Sequence, residues 1–301
     1  MTFAVATDHL TRRFAKRTVV DDVSLRIPAG CVYGFLGPNG SGKSTTMKML
    51  LSLVQPTAGE VRLFDEPMTR ATRRRILRQV GSLIEQPPGY PHLTGRENLR
   101  IVQRLLDLPD RSVASAVDAV RMGAQLDKLV RHYSLGMQQR LGIAMALARE
   151  PRLLILDEPT NGLDPEGIHE IRALLRALAA DGTTVMVSSH LLGEIDRTAT
   201  MLGILSEGRL IFQGTRSELL AAAAPDVVIA TSDPQRSAAV LSRFDARVRP
   251  DGAVAVSNLD DARTEEAVAA LVGDGIGVRG VARDEQTLED VFRDLTKAGA
   301  L

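Results

Sequence analysis

The sequence predicts an α/β fold in which a mostly parallel sheet surrounds one phosphate-binding loop. Antiparallel strands flank that sheet, an all-helical segment interrupts it, and a small α+β domain follows. Three observations predict this. A glycine-rich loop, Gly37 to Thr45, lies between an apolar strand and a helical run; a second apolar strand, Leu153 to Leu156, ends in two carboxylates; and beyond Pro225 strands and helices alternate without a catalytic pattern. With 301 residues there is room for two domains, placed at 1–225 and 226–301, with the helical segment at about 87–150.

The loop GPNGSGKST fits G-x-x-x-x-G-K-[ST], with Gly37, Gly42, Lys43 and Ser44 at the required places. Backbone amides can wrap a polyphosphate only where no Cβ blocks the approach and φ can be positive, and Gly40 adds a third such position. Pro38, Asn39, Ser41 and Thr45 complete the cradle. Lys43 would reach the β and γ phosphates, Ser44 would hold Mg²⁺, and the following helix would aim its positive end at the anion. Context agrees: CVYGFLG (Cys31 to Gly37) suits a buried parallel strand, and TTMKMLLSLV (Thr45 to Val54) has helical spacing. A nucleoside triphosphate site is the working expectation.

Bulk composition narrows the partners. Lys+Arg 37 against Asp+Glu 37 leaves a net charge of +0, which implies no polyanion partner and no nucleic acid. Cys31 is the sole cysteine, so no disulfide within the chain is expected, and it reads as a small core residue in a reducing compartment. The charged N-terminal stretch has no export signal, and no apolar run reaches the 18 or so residues of a membrane span.

Taken in order, Phe3 to Ile27 is alternating and β-branched, so it reads as antiparallel strands that end at Pro28-Ala29-Gly30. Phe14 reads either as a base-stacking ring or as an ordinary core residue. After the first helix come a strand (GEVRLFDEPM), a basic helix (ATRRRILRQV) and a strand from Val80 to Gln86. The proline-rich connector Pro87 to Pro91 then forbids helix continuation, and helices alone are expected through Arg149, the first opened by a Thr94–Glu97 capping box. In RLLILDEP, Asp157 is placed to hold Mg²⁺ through water and Glu158 to polarise an attacking water, at the strand edge where α/β proteins bind ligands. The two acids also suit helix capping, but Pro165 fits a first helical turn better and leaves Glu158 free. The strand Thr183 to His190 ends in a histidine that reads as a satisfied polar group or as a catalytic one. A helix, a hairpin around Glu207-Gly208 and a further helix close the first domain; strands, helices and a final helix, TLEDVFRDLT, make the second.

Between the helical segment and the acidic strand lies YSLGMQQRLGIAMALARE, Tyr133 to Glu150, directly before LLILDEPTNGLD. With the phosphate loop upstream, this resembles the signature helix of ATP-binding cassette (ABC) proteins. Ser134 and Gly136 match two positions of that family's L-S-G-G-Q pattern, while Leu135 and Met137 depart from it. The resemblance, over roughly residues 5 to 220, implies a P-loop ABC-type nucleotide-binding domain with antiparallel β and all-helical subdomains. It implies that Phe14 stacks on adenine, that Asp164 lies in the loop crossing a dimer interface, and that His190 contacts the γ-phosphate. At the family's usual glutamine stands Glu85, with Gln86 one residue later; a carboxylate there could also ligate Mg²⁺.

The function implied is the ATP-hydrolysing subunit of an exporter: a homodimer holding two ATP with Mg²⁺, at the cytoplasmic face of the cell membrane, driving a separate transmembrane permease. The stretch QPPGYPHLTGRENL resembles the bacitracin and drug-resistance branch, which implies efflux of a hydrophobic or amphiphilic compound. A single-site P-loop kinase would lack the signature helix. A non-transport ABC ATPase acting on ribosomes or DNA would be expected to carry two cassettes or long coiled coils.

Overall fold

The computed structural model describes residues 2–15, 17–85, 89–195, 198–222, 226–257, 259–283, 291–292 and 295–296. Contacts divide the chain into two compact units, residues 1–216 with 295–301 and residues 217–294. The boundary expected at Pro225, the alternative residue Gln86 and most of the final TLEDVFRDLT segment lie outside the described residues.

The first unit opens with β1 (Phe3–Phe14), β2 (Arg17–Val23) and β3 (Arg26–Pro28), antiparallel as their alternation predicts. Next come β4 (Val32–Leu36), buried at every residue, and α1 (Lys43–Leu50). This helix starts two residues before the expected Thr45, because Gly42 at φ 106° supplies the turn into it. It also ends early: Ser52 takes φ 56°, and the Lys48 carbonyl accepts from both Leu53 and Val54 amides. The expected single strand GEVRLFDEPM is instead a hairpin, β5 (Ala58–Leu63) and β6 (Glu66–Pro67), turned by Phe64 and Asp65 at φ 55° and 64°. Two consecutive positive φ values are the geometry of a tight two-residue hairpin loop.

A short helix α2 (Arg73–Leu77) and strand β7 (Val80–Leu83) lead to the helical segment of α3 (Gly95–Leu106), α4 (Asp110–Ala119) and α5 (Leu135–Leu147). The Thr94–Glu97 capping box is complete, with side chain and backbone bonded reciprocally. Between α4 and α5 the chain makes two single 3₁₀ turns, Gly123–Gln125 and Val130–His132. The framework then resumes with β8 (Leu153–Leu156), α6 (Pro165–Ala180), β9 (Thr184–Ser189), α7 (Leu192–Ile195), β10 (Met201–Ser206) and β11 (Arg209–Gly214).

The central sheet runs β11-β10-β4-β9-β8-β7; β10 through β7 are parallel and β11 is an antiparallel edge. Strands β4, β8 and β9 are buried throughout, as apolar strands covered on both faces must be. A second sheet orders β2-β1-β5-β6, with β3 also on β1. One apolar cluster joins the sheets, Val5, Leu25 and Leu63 packing with Phe35, Met47 and Ile155. The Gln213 carboxamide oxygen adds a polar tie, accepting from the Tyr33 hydroxyl at 3.0 Å and from the Arg26 amide at 3.0 Å.

The second unit contains most of α8 (Arg216–Ala222), then β12 (Val227–Thr231), α9 (Pro234–Val240), β13 (Arg247–Val248), β14 (Val254–Val256), α10 (Asp261–Gly273) and β15 (Val278–Arg283). Its sheet is antiparallel in the order β13-β14-β12-β15, which makes the β-α-β-β-α-β run a ferredoxin-like split βαβ. Val227, Ile229, Val254, Leu241, Ala267 and Leu271 form its separate core. Among the described residues no helix is long and apolar enough to cross a membrane.

Two consequences are testable. A Cβ at Gly203 would fall 1.9 Å from the buried Tyr33 hydroxyl, so Gly203→Ala must displace that ring and is expected to lower stability by about 1–3 kcal/mol in denaturant unfolding. Cys31 donates to the Pro28 carbonyl, and burial lifts its thiol to about 11. Near neutral pH a mass-detected alkylation assay should therefore find it protected in the native chain and reactive after unfolding.

Candidate functional site

The site assembles where β4, β8 and β9 end side by side. After β4 the loop crosses Gly37, whose φ of 155° and lack of a Cβ allow it to lie against the Leu205 carbonyl; a Cβ there would come within 2.2 Å of that oxygen. Gly42 is equally constrained, with a Cβ position 2.6 Å from the Val19 carbonyl. Gly40, at φ 82°, has open space around it, and Pro38, Asn39 and Gly40 are exposed on the outer side of the loop. The loop is braced from behind: the Gly208 amide donates to the Ser41 carbonyl at 3.0 Å, and the Asp21 amide donates to the Gly208 carbonyl at 2.8 Å.

Several polar groups at this loop lack a ligand-like partner. α1 begins at Gly42 without a side-chain cap and with no acid in its first turn, leaving its positive end open. The Ser41 hydroxyl is buried without a hydrogen-bond partner among the described residues. Buried Lys43 folds back over the loop, its Nζ donating to the Gly37 carbonyl at 2.7 Å and the Pro38 carbonyl at 3.3 Å. Burial pulls its ammonium below the ordinary 10.5, opposed by the nearby Glu158 and Asp157 carboxylates. Ser44 and Thr45 follow, half-buried, in the first turn of α1. These groups fit a polyphosphate, whose oxygens would satisfy the helix end, the lysine and the orphaned hydroxyl together.

The acids arrive from β8. Asp157 is 7% exposed and accepts from the Ser188 hydroxyl at 2.6 Å, while the Glu158 amide donates to the same hydroxyl at 2.9 Å. Ser188 therefore fixes both acids from the neighbouring strand. Glu158 sits at φ 47°, a strained setting for a non-glycine residue that places it apart from helix geometry. One of its oxygens lies 3.8 Å from the Lys43 ammonium and the other 3.1 Å from the His190 ring nitrogen. The structure thus brings Lys43, Asp157, Glu158 and His190 together, with the histidine just beyond the end of β9.

The other candidate residues lie in different surroundings. Ser134 caps α5, accepting from the Met137 amide, and a Cβ at Gly136 would meet Leu163 at 3.3 Å, so this helix start packs on residues 162–163. Asp164 caps α6 by accepting from the Gly167 amide at 3.0 Å, with Pro165 at the first helical position. Phe14 is 42% exposed near the tip of the β1–β2 hairpin, with the Arg12 guanidinium 4.3 Å from its ring centre. Glu85 follows β7 at φ 66°, and its carboxylate pairs with Lys48 of α1. No group of three or more His, Cys, Asp or Glu forms a metal cage among the described residues. Magnesium, however, is commonly bound by one or two protein oxygens alongside phosphate and water, and Ser44 with Asp157 suits that mode.

Two contributors escaped sequence reasoning. Ser188 is signalled only by polar residues, Ser188 and Ser189, closing an otherwise apolar buried strand. The Gly208 brace is a turn whose distant purpose no local pattern reveals.

The ABC transporter family model matches residues 20–161. Over 100% of its length the chain is 38% identical to the bacitracin transport ATP-binding protein BcrA of Enterococcus faecalis, covering 99% of that protein. It is 35% identical to the daunorubicin/doxorubicin resistance ATP-binding protein DrrA of Streptomyces peucetius, over 98% of this chain and 93% of that one. Among solved structures it resembles an ATP-binding subunit of an ABC transporter, with TM-score 0.66 and 28% identity, over 73% of this chain and 92% of that one. It also resembles a dimeric bacterial ABC transporter cassette, with TM-score 0.65 and 25% identity, over 70% and 98%. The chain belongs to the ABC transporter ATP-binding proteins, and it is an ATPase that hydrolyses ATP for transport.

Proposed function

We propose that this subunit powers an exporter of a hydrophobic or amphiphilic compound, working as a homodimer at the cytoplasmic face of the membrane with a separate permease. The observation that carries the reading is full-length similarity, 38% and 35%, to ATPases named for bacitracin transport and for daunorubicin/doxorubicin resistance. That similarity extends through the ferredoxin-like unit, beyond the cassette alone. The domain limits 1–225 and 226–301 belong to the same proposal, the second domain serving regulation or dimer contact.

A surface suited to the permease supports it. Leu51, Leu53, Val102, Leu105, Leu106 and Met145 line a groove of about 460 Å³ between the core and the helical segment. Leu53 and Leu105 are 66% and 77% exposed there, an apolar lining that suits side chains of a partner. The groove lies beside β7, whose continuation reaches Glu85, so occupancy of the nucleotide site has a short route to it.

In each copy, the phosphate loop residues Gly37 to Thr45 bind the triphosphate and Phe14 stacks on adenine. Lys43 holds the β and γ phosphates, while Ser44, Asp157 and Glu85 would hold Mg²⁺, which when bound neutralises developing phosphate charge. Glu158 orients the attacking water, and His190 fixes Glu158 and contacts the γ-phosphate. Ser134 and Gly136 of the second copy complete the site, with its Asp164 loop at the interface. The packing of Leu135 and Gly136 on residues 162–163 is consistent with presentation of this helix start and the following loop as one surface.

Three results are expected. Glu158→Gln should retain ATP affinity and lose turnover by roughly a hundredfold or more, measured by nucleotide-analogue binding and phosphate release; normal turnover would reject the assignment. Because burial lowers the Lys43 ammonium and bound phosphate would raise it again, ATP binding should take up protons in alkaline solution and weaken as pH rises through the depressed free value towards 10.5. Calorimetry in buffers of different ionisation enthalpy reads that proton uptake, and Lys43→Met should abolish it. Finally, Leu53→Asp with Leu105→Asp should leave ATP binding intact and prevent co-purification with a membrane-spanning partner; undiminished co-purification would reject this groove as the permease surface.

A further inference from the structure

Glu85 and Asp157 follow adjacent parallel strands. Leu83 of β7 pairs with Leu156 of β8, and the Asp157 amide donates to the Leu83 carbonyl at 2.8 Å, which sets the two segments side by side. Their carboxylates are satisfied in different ways. Asp157 takes a neutral hydroxyl from Ser188, whereas Glu85 takes the Lys48 ammonium, its Oε1 bonded to Nζ.

The difference follows from charge. An amide at position 85 would be neutral and need no counter-ion, whereas a carboxylate adds a negative charge to an edge that already carries Asp157 and Glu158. Lys48, in the last turn of α1, cancels that added charge. The bond also has mechanical content, since α1 grows directly out of the phosphate loop and Glu85 stands at the entry to the helical segment, at φ 66°. Lys48 holds this strained residue by its side chain. The second carboxylate oxygen, Oε2, has no hydrogen-bond or ion-pair partner among the described residues.

We propose that Lys48 is a positioning residue for Glu85: it anchors one carboxylate oxygen to the phosphate-loop helix and leaves the other for the divalent cation that accompanies ATP. This rests on the reading of Glu85 as a Mg²⁺ ligand. Lys48 bonds Glu85 rather than the phosphate loop, so its effect must pass through residue 85 and must disappear when that side chain is removed.

The test uses the full chain and a fluorescent ATP analogue. The readout is the Mg²⁺ concentration giving half-maximal Mg²⁺-dependent binding, with Mg²⁺-free binding and thermal unfolding recorded for each variant. Lys48→Met is expected to raise that concentration by about two- to fivefold, the size expected for loss of a partly exposed ion pair, while Mg²⁺-free binding stays unchanged. Lys48→Arg should restore it, and Lys48→Gln guards against an effect peculiar to Met. In a Glu85→Ala background the Lys48→Met shift should vanish. An equal shift in both backgrounds, or none in the parent, overturns the positioning role while leaving Glu85 as a ligand. If Glu85→Ala, which removes the side-chain oxygens altogether, does not alter the Mg²⁺ requirement, the ligand reading falls and the positioning proposal falls with it.

Discussion

Backbone must meet backbone at three glycines for this site to exist. Gly37 lies against the Leu205 carbonyl, Gly42 against the Val19 carbonyl and Gly208 against Val19 from the other side, and a Cβ at any of them would fall 2.2–2.8 Å from a main-chain oxygen. Because a carbonyl in a paired strand cannot swing aside as a side chain can, these contacts are rigid. They lock the phosphate loop between the tip of one sheet and a turn of the other. The open helix end, the folded-back lysine and the Ser41 hydroxyl are held together there by these backbone contacts.

The negative side of the site depends on a neutral group. Two adjacent carboxylates at one strand edge repel, and Ser188 relieves this by donating to one and accepting from the other's amide. Glu158 is then left with Lys43 and His190 as its side-chain neighbours. The lysine attracts it towards the loop and the histidine holds it from β9, so its orientation is set by three elements at once. Such over-determination is what keeps a non-glycine residue at φ 47°.

Much of this could be read from the chain before the fold was known. The glycine loop, the strand with its terminal acids, Pro165 as a helix start and the Thr94–Glu97 box all rest on local rules, and each appears where those rules put it. Local rules fail where the determining contact is distant. The early end of α1 depends on Ser52 turning left-handed, and the β5–β6 hairpin depends on Phe64 doing so before Asp65, an aromatic where such a turn is seldom announced. Ser188, Gly208 and Gln213 act across 30 or more positions of sequence, and no window of periodicity spans that. The Lys48–Glu85 pair belongs with them; only the fold shows that the departure at residue 85 comes with a counter-charge.

The Gln213 carboxamide, reaching Tyr33 beneath the central sheet and Arg26 at the start of β3, secures the root of the antiparallel sheet. The far end of the β1–β2 hairpin, where Phe14 and Arg12 stack, has no part in that tie. Changes at the hairpin tip are thereby insulated from the central sheet. A different side chain at position 14, or a longer turn between β1 and β2, would leave that root and the strands of the central sheet in place.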